Sequence, residues 1–181
     1  MVDNQALERA YDIFQSMGLL ACTRGNACED FKEKERRFSP APSAHLHISD
    51  DCPLMLFKKS EVLWRVPNLA TVSSESTHKP DVILASDPKR LPGPDKLGRG
   101  GRFSSNLHPI RVLSGLRLVE AYILLLKRDF DSYDSYWMSH LTYMAEYVNN
   151  KDVLNMDDLE PDHKALFEAL QTGSASPYDF L

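Results

Sequence analysis

The stretch His78-Lys79-Pro80-Asp81-Val82-Ile83-Leu84-Ala85 sets a carboxylate at the mouth of a short apolar run, just before a glycine-rich basic segment. A hard divalent cation takes positioned oxygen ligands, so an acid on a rigid strand edge is what a metal-dependent phosphodiester cleaver needs. A second group of side chains suggests different chemistry. Cys22, Cys28 and Cys52, with His45 and His47, all lie between positions 22 and 52. Zinc binds thiolates and imidazoles tetrahedrally, and four of these five would close a structural site. The spacing is not that of a standard finger, because no Cys-x-x-Cys occurs and His45-x-His47 reads as a strand-like pair. Buried reduced cysteines with surface histidines are the other account of the same residues.

A third candidate is the loop Gly93-Pro94-Asp95-Lys96-Leu97-Gly98-Arg99-Gly100-Gly101-Arg102-Phe103. Its glycines let backbone N–H groups approach an anion, and Lys89, Arg90, Lys96, Arg99 and Arg102 would neutralise phosphates. Phe103 would stack on a base. The loop lacks the Gly-Lys-Ser/Thr ending of a nucleotide-cradling P-loop. The basic character runs from Lys89 to Arg117, whereas the chain from Leu118 onward is strongly acidic. Such a split marks either a phosphate-facing segment beside an acidic body or two regions that neutralise each other. A fourth candidate is the aromatic set Tyr122, Tyr133, Tyr136, Trp137, Tyr143 and Tyr147, which at helical spacing reads as helix–helix packing and, where exposed, as a partner surface.

The elements that must position these groups follow from periodicity. Residues 4–18 read as an amphipathic helix with Leu7, Ala10, Tyr11, Phe14 and Met17 on one face, Asp3 or Asn4 as cap and Gly18 as stop. A polar helix is expected over 28–38, ended by Pro40 and Pro42. Short apolar runs at 53–57, 61–66, 69–72 and 81–85 read as strands. Residues 86–109 form a long irregular loop. Apolar positions between 112 and 130, and again between 133 and 148, predict a helical hairpin with its break at 128–132, followed by a short helix over 161–171. The expected fold is α+β or α/β: an N-terminal helix, a small mixed sheet from residues 53–85, and a C-terminal helical hairpin. With 181 residues, 43% hydrophobic and 26% charged, residues 1–172 are expected to form a single globular domain, with 173–181 as a flexible tail. No apolar run approaches the roughly 20 residues that span a bilayer. The absence of a leader-like start and the odd cysteine count point to the cytoplasm or nucleus.

Pro80-Asp81, followed by Val119-Glu120-Ala121-Tyr122, resembles the restriction-endonuclease-like scheme, in which a Pro-Asp on one strand and a Glu-x-Lys on the next gather divalent ions. The Lys-Pro-Asp-hydrophobic phrase is most similar to the nuclease-like region that precedes fungal-type protein kinases. The resemblance implies Asp81 and Glu120 as ligands for Mg²⁺ or Mn²⁺, with Lys127 supplying the water-activating cation, because Tyr122 holds the usual lysine position. That substitution, and the helical period of 117–128, favour a catalytically degenerate nuclease-like module that binds protein or nucleic acid rather than an enzyme. The alternatives are an adaptor domain using the acidic aromatic hairpin, and an active divalent-metal nuclease.

Overall fold

The computed structural model describes residues 4–23, 28, 40–49, 52–66, 81–93, 101–106, 109–148, 154–174 and 176–180. It is an α+β protein. The expected helix over 28–38, apart from Cys28, and the expected strand over 69–72 lie outside the described residues. Cα packing divides the chain into two compact units: Met1–Arg65 with residues 131–133, and Val66–Phe130 with Asp134–Leu181.

The first unit opens with α1 (Leu7–Ser16), entered through a 3-10 turn at Asn4–Ala6, with Ala6 in the cap position and no side-chain cap bond there. Gly18, at φ 94°, turns the chain out of the helix, a conformation that strains any residue with a Cβ. Leu7, Ala10, Tyr11 and Phe14 are half-buried as the periodicity predicts, but Met17, past the last helical turn, is 69% exposed. Three strands follow in the order β1 (Leu20–Ala21), β2 (Ala44–Ser49), β3 (Cys52–Leu56), all antiparallel. Pro53 is tolerated because β3 is an edge strand, where a missing N–H breaks no inner ladder.

Residues 61–66 were expected as a strand and are not one. Lys59–Val62 form the short helix α2, and the chain then turns at Trp64 and Arg65. Val62, Leu63 and Val66 are buried while Trp64 and Arg65 are exposed, a spacing of one and four that a helical turn produces and a strand does not. A six-residue apolar run is too short for its period to decide. The α2 entry is tied back to the sheet: the Lys58 N–H donates to Ser43 Oγ, and that hydroxyl donates to Glu61 Oε2.

In the second unit β4 (Val82–Leu84) pairs antiparallel with β5 (Arg111–Leu113), so the strands expected within 53–85 fall into two sheets that also recruit segments outside that range. Ser114 caps α3 (Gly115–Arg128) by accepting from the Arg117 N–H. Only Asp129 separates α3 from α4 (Phe130–Tyr147), and these are the hairpin helices the sequence predicts. Val119, Ile123 and Leu126 are fully buried on the predicted apolar face. Tyr133 lies outside the described side chains. A 3-10 turn at Met156–Asp158 precedes α5 (Pro161–Thr172), which buries Leu166 and Phe167 and ends at Gly173 in the left-handed conformation (φ 62°). A further 3-10 turn occupies Pro177–Phe180.

Trp137 is 5% exposed, packs against Tyr122 and Tyr136, and donates its Nε1–H to Asp129 Oδ2 at 2.9 Å. Asp129 also accepts from Arg128 at 2.5 and 2.7 Å. Burial alone would raise the Asp129 carboxyl, but the hydrogen bonds from Arg128 and Trp137 and the Arg128 charge outweigh it and hold the group below its ordinary range. Trp137→Ala is expected to cost about 3–5 kcal/mol in denaturant unfolding; a loss under about 1 kcal/mol would place the indole at the surface. Asp129→Asn should cost about 1–3 kcal/mol at neutral pH. The native carboxyl titrates below the ordinary value of about 3.9, so its contribution is complete above that pH and fades as the native group protonates. Melting curves of wild type and variant should therefore converge below about pH 4.

Candidate metal centre

The β1–β2 register builds this site. Leu20 lies opposite His47 and Ala21 opposite Leu46, so the next step of the antiparallel pairing brings Cys22 abreast of His45. Alternation along β2 sends His45 and His47 to one face and Leu46, with no exposed surface, to the other. The two imidazoles stand edge to face with ring centres 5.6 Å apart. Cys28 returns to the same place, buried, with its Sγ 3.5 Å from His47 Nε2. One ligand atom from each of Cys22, Cys28, His45 and His47 lies within 4.8 Å of the other three.

Those distances suit a small tetrahedral ion. Zn–S near 2.3 Å and Zn–N near 2.0–2.1 Å imply ligand–ligand edges of about 3.3–3.8 Å. The Cys28–His47 contact already has that length, and the others, within 4.8 Å, close by about 1.5 Å at most. Two thiolates and two imidazoles form the borderline-soft donor set that zinc takes. Of the five sulfur and nitrogen candidates in the sequence, Cys52 alone stays outside. It pairs with Ser49 across a register shift between His47 and Ser49, which breaks the alternation that aligns the histidines. Cys52 is exposed, and all three cysteines are reduced.

The carboxylate candidates converge on an arginine. Val82 pairs with Leu113, so Asp81 falls beside Ser114, whose N–H donates to the Asp81 carbonyl at 3.0 Å. The first turn of α3 then carries Arg117 back toward Asp81. Its Nε donates to Asp81 Oδ1 and its Nη1 to Glu120 Oε2, each at 2.5 Å. Burial alone would depress the Arg117 guanidinium, but its bonds to both carboxylates and their charges hold it above its ordinary value. Glu120 thus sits on a helix, not on the strand that the nuclease scheme places it on. Lys127 is exposed seven residues further along α3, about 10 Å along the axis.

Of the basic candidates, Lys89 is exposed with its backbone N–H on Asp87, Arg90 pairs with Asp87 at 3.7 Å, and Arg102 reaches the Leu91 carbonyl at 3.5 Å. Lys96 and Arg99 lie outside the described residues. Phe103 is 47% exposed. His163, on α5, was not singled out from the sequence. It is buried, its Nδ1 meets no hydrogen-bond partner among the described residues, and burial pushes its pKa down. A lone histidine in a helical pattern gives no sign of its burial.

Protein-family models, curated proteins and solved structures offer no match to this chain. Among the described residues no helix is long and apolar enough to cross a membrane.

The Arg117 bridge is testable directly. Arg117 is 40% exposed, so solvent screening limits its two ion pairs to about 1 kcal/mol together. Arg117→Met should lower stability by that amount and leave two carboxylates facing each other without their cation. Thermal melts with Mn²⁺ should then show a stabilisation of the variant that wild type lacks. An equal response in both proteins would mean that Asp81 and Glu120 do not share a cation position.

Proposed function

We propose that this chain is a non-enzymatic binding module whose N-terminal unit is locked by a structural zinc ion on Cys22, Cys28, His45 and His47. The observation that carries this reading is the convergence of four sulfur and nitrogen donors within 4.8 Å of one another. Four protein ligands complete a tetrahedron and leave no open position for substrate, which is the pattern of a structural site rather than a hydrolytic one. The size of the unit supports the same reading. Its α1 has no buried residue, and the fully or nearly buried side chains described within it are few: Cys28, Leu46, Leu56, Val62 and Leu63. Small units with thin cores commonly depend on a metal or disulfides for stability. Zinc binding in finger-like peptides contributes about 10–16 kcal/mol, enough to supply what such a core lacks. The binding role is supported by α4, where the tilted rings of Tyr143 and Tyr147 have centres 4.7 Å apart and the two residues are 62% and 68% exposed. Large aromatics held outward in a pair suit a protein partner.

A second reading, a degenerate nuclease-like module, is favoured by one observation. The guanidinium of Arg117 lies between Asp81 and Glu120, supplying the positive charge that a divalent ion would bring to an active centre. This favours a binding role over Mg²⁺- or Mn²⁺-dependent cleavage, with nucleic acid along the Lys89–Arg117 segment as the alternative partner.

Elemental analysis of the purified chain should find one zinc per molecule. Cobalt substitution should give tetrahedral d–d bands with a thiolate charge-transfer band, and Cys28→Ser or His47→Ala should abolish both signals. Zinc held substoichiometrically, or with an apparent Kd weaker than about 100 nM, would overturn the assignment.

A further inference from the structure

The two cysteines of the centre differ in access. Cys28 is 3% exposed. Cys22 is half-buried and lines an open cavity of about 600 Å³ together with His45 and with Glu8, Tyr11 and Asp12 of α1. A cavity that size admits several water-sized molecules beside Cys22. We propose that Cys22 is an oxidation site for hydroperoxides and Cys28 its resolving thiol, so that oxidation ejects the metal; the inference rests on the zinc reading above.

Zinc holds both sulfurs as thiolates, the form that attacks peroxide. The Cys22 thiolate attacks one oxygen of hydrogen peroxide, the O–O bond breaks, and sulfenic acid and hydroxide result. The Cys28 thiolate then attacks the Cys22 sulfur, the S–O bond breaks, and a second hydroxide leaves as the disulfide forms. Two electrons pass from the two sulfurs to the peroxide, and solvent protons neutralise the two hydroxides. The sulfurs start no more than 4.8 Å apart, so reaching the disulfide length of about 2.05 Å is a local movement. His45 and His47 then remain as the only ligands of the set, and two imidazoles no longer close the tetrahedron. Cys52 is exposed and outside the cluster, which makes it an internal control.

The test treats the zinc-loaded full chain with hydrogen peroxide, follows zinc with a chromogenic chelator and maps disulfides by peptide mass spectrometry. One equivalent of zinc should appear together with a Cys22–Cys28 disulfide. Dithiothreitol with added zinc should reverse both, and Cys52→Ser should behave as wild type. Dimedone added during the reaction should label Cys22. Zinc retained while Cys52 is oxidised, zinc released without the Cys22–Cys28 bond, or first labelling of Cys28 would overturn the proposal alone. A chain that carries no zinc before peroxide is added would overturn the metal reading and the proposal with it.

Discussion

In the N-terminal unit, the pairing of Leu20 with His47 and Ala21 with Leu46 decides which side chains meet. A strand's side chains alternate between its faces, so a slip of one residue would send both histidines to the side that Leu46 occupies and bring Leu46 to the cysteines. The burial of Leu46 opposes such a slip, because exposing a fully buried leucine costs about 1.5–3 kcal/mol. Burial on one face of β2 and metal chemistry on the other are therefore consequences of one register.

The second unit uses a comparable device with charge in place of sulfur. Pairing Val82 with Leu113 brings the start of β4 to the cap of α3, and one helical turn returns Arg117 to Asp81 and Glu120. The local balance of charge matters here more than the net charge of the chain. Two carboxylates beside one guanidinium raise the arginine's pKa despite its partial burial. At the other end of α3, Asp129 is held ionised by Arg128 and by the Trp137 indole. The single residue between the two helices thus joins the hairpin turn to the buried aromatic set.

That aromatic set divides by burial. Tyr122, Tyr136, Trp137 and His140 contact one another, with ring centres 4.6–6.3 Å apart, and burial raises both tyrosines and lowers the histidine. These groups stay neutral around neutral pH and pack as apolar bodies. Tyr143 and Tyr147, one and two turns further along α4, face outward. One helix therefore carries both core and surface aromatics.

The sequence by itself determined the α+β class, the helical hairpin with its break within 128–132, the stop at Gly18, and the burial of Trp137, whereas the break at Asp129 alone and the left-handed cap at Gly173 came from the structure. Each of the features determined by the sequence follows from a local signal: a repeat of three and four, a capping residue, or a glycine free to take positive φ. It also determined which residues were candidates for zinc, because His45-x-His47 shares a face under the two-residue period of any strand. The structure alone decided which candidates meet. The choice of Cys22 over Cys52 depends on the β1–β2 register and on the shift after His47, and both are pairings between segments distant in the chain. The same holds for Arg117 between Asp81 and Glu120, since a residue 36 positions away cannot be assigned to Asp81 by spacing. At 61–66 the apolar run was too short for its period to separate helix from strand, and tertiary packing settled it as α2 and a turn. Periodicity and capping act within a few residues and are written in the chain, whereas register and ion pairing across segments are fixed only when the whole unit closes.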